Sequence, residues 1–200
     1  MIANKLSKLI GILHKLKYIY PQNALTTIYN SLFVPHINFG LLVWGTKVKH
    51  MDTLQKKVIR IITNSKYISH TEPLMKELKL LKVEDMFSLN ILKFLHKLAH
   101  NNLPTYFEIY RPYLQETITP YNLRSHLLPV PPITHVYAES TLLYQSVQML
   151  NNISRNDKLI LDKLVEKSHS FPGFSKYVTN RMIGKYNSEC VKSNCYVCEH

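Results

Sequence analysis

Apolar residues recur along this chain at three- and four-residue intervals, the period of helices that bury one face. Ile2, Leu6, Leu9, Leu13 and Leu16 form one stripe with Lys8 and Lys15 on another face, which predicts a basic amphipathic first helix. Pro21 is suited to begin a second helix, with Leu25, Ile28, Tyr29 and Leu32 as its buried stripe, and Pro35 is expected to stop it and start the next element. Residues 36–44 are nearly all apolar and are expected to be the most buried piece. The clearest pattern spans 51–63: Met51, Leu54, Val58, Ile61 and Ile62 make one face, while Lys56, Lys57 and Arg60 share another. Thr71-Glu72-Pro73 reads as an N-cap followed by early-helix residues, starting a short helix through Leu78. A longer helix over 83–100 follows, with Glu84 and Asp85 in its first turn and Met86, Leu89, Leu92, Phe94 and Leu95 mostly inward.

Over 110–135 the character changes, because Pro112, Pro120, Pro129, Pro131 and Pro132 interrupt any helix. Extended chain with room for a short strand is expected there. Helical pattern resumes at about 138–151, 158–167 and 174–186. The expected architecture is mainly α. A basic helical bundle (1–109) is followed by a Pro-rich irregular connector (110–137), a region of short helices (138–186) and a cysteine-containing tail (187–200).

Charge adds a partner class to this picture. The formal net charge is +12, and residues 1–70 hold ten Lys/Arg against a single acid, Asp52. Such a surface attracts polyanions, nucleic acid first and an anionic membrane second, since neutralised phosphates release condensed counterions. No apolar stretch approaches the ~20 residues that span a bilayer. All three cysteines fall in the last eleven residues, which argues against a disulfide framework and for an intracellular, reducing compartment, nucleus or cytoplasm, rather than secretion.

Catalytic chemistry is hard to find. Two-metal polymerases and nucleases need closely placed carboxylates, and the four aspartates, Asp52, Asp85, Asp157 and Asp162, include no adjacent pair. Neither a nucleophile elbow nor a phosphate-binding Gly-rich loop is present, so activity as an independent enzyme is not expected. The tail Cys190-x4-Cys195-x2-Cys198-x-His200 supplies four ligand types for a tetrahedral zinc ion; reduced surface cysteines are the alternative reading. The remaining chemistry is basic. Lys56, Lys57 and Arg60 project together, Lys47, Lys49 and His50 precede them, Lys66 follows, and Trp44 and Tyr67 flank the cluster as candidate stacking surfaces. The competing assignments are a merely solvated lysine face and a core position for Trp44.

Several segments over 6–106 carry a family likeness. They are Gly11-Ile12-Leu13-x-Lys15-Leu16, Leu32-x-x-Pro35-His36-x-Asn38-Phe39-Gly40, Val43-Trp44-Gly45, Leu54-Gln55-Lys56-Lys57-Val58-Ile59-Arg60-Ile61-Ile62-Thr63, His70-Thr71-Glu72-Pro73-Leu74, Glu77-Leu78 and Leu80-Leu81-Lys82. In order and spacing this text resembles the region after the palm in LINE-type, jockey-like non-LTR retrotransposon reverse transcriptases. The resemblance implies a helical thumb that packs beside an RNA/DNA template–primer duplex and against the polymerase palm. It implies backbone-positioning contacts from Lys56, Lys57 and Arg60, with Leu54, Val58, Ile61 and Ile62 holding the helix to its neighbours. Past Tyr106 the likeness thins to Tyr121-Asn122-Leu123-Arg124 and the final cysteines, with Leu123 where relatives often have Thr. The palm carboxylates and the endonuclease have no counterpart here. The expected role is a non-catalytic fragment that grips nucleic acid; the alternative is a helical protein–protein interaction module whose apolar side once met the palm.

Overall fold

Leu6 and Leu13, two helical turns apart, lie fully buried on one side of α1 (Ile2–Leu16), whereas Lys5, Lys8 and Lys15 are exposed. The computed structural model describes residues 2–45, 49–110, 128, 130–132, 135, 138–166 and 170–187. These residues are mainly α-helical, and no strand occurs among them. The chain forms two compact units, Met1–Phe87 with Thr179–His200, and Ser88–Val178.

In the first unit Leu25, Tyr29, Phe33, Ile37 and Leu41 are all buried, a strict four-residue repeat. Each α-helical residue advances about 100°, so a four-residue step overshoots one revolution by about 40°. The backbone absorbs that drift. Helix α2 (Gln22–Ile28) widens into a π turn at Tyr29–Phe33 before α3 (Val34–Asn38), and the wider turn returns every fourth side chain to the same side. Two expectations are corrected by this geometry. Leu32 is exposed and Phe33 takes its place inside. Pro35 opens the next element as expected, in the first turn of α3 where a missing N–H is tolerated, but it does not break the chain's helical course, because Phe33 and Val34 before it keep right-handed helical dihedrals.

Residues 36–44 are not the most buried piece either. Gly40, at φ 69°, turns the chain between α3 and α4 (Leu41–Trp44), and Phe39 and Val43 are left 77% and 79% exposed. Helix α5 (Lys49–Ile62) buries Leu54, Gln55, Val58, Ile59 and Ile62, while Met51 and Ile61 are half-buried. Its buried face is thus rotated toward Gln55 and Ile59 relative to the expected stripe. Packing by α1, α2 and α6 (Thr71–Glu77) on α5 explains the wider covered surface. His70, not Thr71, holds the N-cap position of α6 and makes no side-chain cap.

Three helices close without glycine. At the ends of α5, α6 and α7 (Val83–Ala99), Asn64, Lys79 and Asn101 adopt left-handed dihedrals. The amides three places past each helix reach back five residues: Ser65 to Arg60 O (3.0 Å), Leu80 to Met75 O (2.9 Å) and Asn102 to Lys97 O (2.8 Å). This is the Schellman closure, which satisfies carbonyls that a helix end otherwise leaves bare. Tyr186, past the end of α10 (Phe171–Gly184), adds a latch. Its hydroxyl donates to Asp85 and accepts from the Lys82 amide (3.0 Å), while Lys76 Nζ donates to its carbonyl (2.7 Å).

The second unit is built on Leu89, Ile91, Leu92, Leu95 and Leu98 of α7, Val147 and Leu150 of α8 (Leu142–Asn156), Ile160 and Leu164 of α9 (Lys158–Val165), and Phe174 of α10. Thr141 caps α8, its hydroxyl accepting from the Tyr144 amide. His96 is buried here between stacked rings, His100 at 4.2 Å and Phe174 at 4.6 Å. Most of the Pro-rich connector, including residues 121–124, lies outside the described residues. Leu128 is held at both backbone groups by the Asn151 side chain, which accepts its N–H (2.8 Å) and donates to its carbonyl (3.0 Å).

Candidate nucleic-acid interface

Burial of the apolar side of α5 turns the opposite side outward, and the cations follow the helical period. Lys57 is exposed, while Lys56 and Arg60, one turn apart, sit half-buried at the edge. Each has a distinct environment. Lys56 Nζ meets the Asp52 carboxylate at 2.5 Å, one turn toward the N-terminus. An acid four residues before a lysine is the favourable orientation, though such surface pairs are worth only ~0.3–0.5 kcal/mol. The sole acid of residues 1–70 is therefore spent on one lysine of the cluster.

Arg60 faces inward along the loop that follows. Its Nε donates to Ser69 O at 2.9 Å, and its guanidinium lies 5.8 Å from the ring centroid of Tyr67. The loop is further braced by Thr63 and Ser65 hydroxyls 2.8 Å apart and by the Ser69 amide on Lys66 O at 3.0 Å. Lys66 is exposed on this loop. Of the other residues singled out in the sequence, Lys47 lies outside the described residues, and Lys49 begins α5 with its side chain outside them, as is that of Trp44. Cys190, Cys195, Cys198 and His200 also lie outside them. Among the described residues no group of three or more His, Cys, Asp or Glu side chains could hold a metal ion, and no helix is long and apolar enough to cross a membrane.

Packing brings α1 into the same surface. Lys17 Nζ lies 3.3 Å from Asn64 Oδ1, joining the carboxyl ends of α1 and α5, and 4.8 Å from the ring centroid of Tyr18. The contact links residues 47 positions apart, so no local sequence signal could have placed Lys17 beside the α5 cluster. Comparison of the chain with protein-family models, with curated proteins and with solved structures finds no match.

Proposed function

We propose that this chain is a non-catalytic, nucleic-acid-gripping part of an RNA-directed DNA polymerase of the LINE-type retrotransposons. The α5 surface, continued by Lys17 just past the end of α1, would hold the phosphate backbone of a template–primer duplex. One observation carries the reading: Lys57, Lys56 and Arg60 stand on a helix whose opposite face is buried, in a segment whose single acid is already paired. Contacts of this kind set register on a duplex without reading bases. The ordered motifs over residues 6–106 support the same assignment.

The test is fluorescence anisotropy with the full chain and labelled RNA–DNA duplexes of two unrelated sequences at low salt. Binding is expected for both, with affinities within about two-fold of one another. Absence of binding to either overturns the reading.

A second reading has its own support. Phe39 and Val43 are large apolar side chains left in solvent, as the contact side of a protein–protein module would be. Self-association on gel filtration together with no nucleic-acid retention would favour it.

A further inference from the structure

Where the carboxyl ends of α1 and α5 meet, the chain exposes an unusual density of aromatic and apolar side chains. Tyr18, Ile19 and Tyr20 leave α1 and Tyr67 and Ile68 follow α5, with Tyr18 75% and Tyr67 76% exposed. Rings this open add little to a core. Both are nevertheless braced. His14 and Tyr18 meet edge to face at 6.2 Å and 83°, and the Lys17 ammonium lies over one face of the Tyr18 ring, 4.8 Å from its centroid. Tyr67 rides on the hydrogen-bonded loop that Arg60 clamps at Ser69. Lys17, next to Tyr18 in the chain, reaches Asn64, three residues before Tyr67, and Lys17, Arg60 and Lys66 supply the positive charge of this stretch.

We propose that Tyr18 and Tyr67 form a stacking platform for unpaired nucleotides, taking the single strand that leaves the duplex held by α5. The inference rests on the reading of α5 as a duplex grip. Its chemistry is separate. Every base offers a π-face, so tyrosine faces accept any sequence, while neighbouring cations take the phosphates between stacked bases. Bases inside a duplex are already stacked on one another, so exposed rings can engage only unpaired ones. Charge decides between a nucleic-acid strand and an apolar protein surface as occupant: Asp52 is the sole acid within residues 1–70, and it is held one turn back along α5 by Lys56.

The experiment compares a blunt duplex with the same duplex bearing a four-nucleotide single-stranded overhang, using the full chain, the Tyr18→Ala/Tyr67→Ala double variant and the Tyr18→Phe/Tyr67→Phe double variant. The wild-type chain is expected to bind the overhang duplex more tightly by about ten-fold. The alanine variant should lose that increment, read as the ratio of its overhang to its blunt-duplex affinity, and the phenylalanine variant, whose rings still stack, should retain it. Equal affinity of the wild-type chain for both duplexes overturns the platform but leaves the duplex grip standing, as does an increment that survives in the alanine variant. Absence of binding to either duplex overturns both.

Discussion

The side-chain amide of Gln55 donates to the hydroxyl of Tyr29 at 2.7 Å, and both residues are completely buried. The same nitrogen donates to Leu81 O (2.7 Å), and Gln55 Oε1 accepts the backbone N–H of Val83 (3.0 Å). Val83 is the first residue of α7, whose amide has no partner within its own helix. One buried glutamine therefore ties α5 to the π turn, to the segment before α7 and to the start of α7, and it fixes which way the lysines of α5 face.

Replacing Gln55 by leucine removes all three bonds while nearly conserving volume, leaving a buried hydroxyl, carbonyl and amide without partners. A penalty of ~1–3 kcal/mol per orphaned group applies. The expected result is a loss of about 3 kcal/mol or more in urea unfolding. A change under about 1 kcal/mol would mean that the network does not organise the first unit.

Burial also governs the response to alkali. The Tyr29 hydroxyl is pushed up to about 12 from 10.0 by burial, with the Gln55 hydrogen bond opposing. Tyr186 is raised too, by burial first and then by its hydrogen bond to Asp85. In each case the unfolded chain releases its proton before the folded one. Stability is thus complete below pH 10 and declines as pH rises through the window from 10 toward 12. Tyr29 alone is expected to contribute a decline of about 2–3 kcal/mol. The check is unfolding free energy against pH for the wild-type chain and Tyr29→Phe, with the variant giving the flatter profile.

Gly45 belongs to the quoted Val-Trp-Gly motif, and its place in the fold gives that motif a physical reason. A Cβ added there falls well inside van der Waals contact with the ring of Phe87. Gly45→Ala is expected to cost roughly 1–3 kcal/mol of stability. Recovery of most of that loss by Phe87→Leu, measured by thermal unfolding of the double variant, would locate the cost in this contact.

The ion pair on α5 makes a prediction that runs against simple charge counting on the individual lysines. Because Asp52 holds Lys56, a phosphate must compete for it, whereas Lys57 is exposed without that partner. Lys57→Ala is expected to weaken duplex binding more than Lys56→Ala does, and Asp52→Asn should strengthen it by roughly two-fold or more. Anisotropy titrations of the three variants at one salt concentration check the order.

Much of the first unit was legible in the amino-acid pattern. The period gave α1, α5, α6 and α7 within a few residues of their observed bounds, because amphipathic helices advertise themselves locally. The misreadings share a cause in tertiary packing. Leu32 and Phe33 are equally apolar, and only the π turn decides which is buried. The burial of Gln55 has no local signal, because nothing near it in sequence reveals Tyr29, Leu81 and Val83 as partners. Asn64, Lys79 and Asn101 are polar residues in polar turns, and their left-handed dihedrals follow from the closure of three helices. At the candidate site the α5 cations were legible from spacing, but the Asp52 and Ser69 contacts that divide them were not. Nor was the arrival of Lys17 and Tyr18 from a helix far away in the chain.

The most direct test of the duplex grip is the slope of log affinity against log salt for a DNA duplex, measured for the wild-type chain and for Lys56→Ala/Lys57→Ala. Each phosphate contact contributes a slope of about −0.9, so the double variant is expected to show weaker binding and a slope shallower by one to about two such increments. A wild-type affinity insensitive to salt, or a slope unchanged by removing both lysines, would contradict the assignment of α5 to the phosphate backbone.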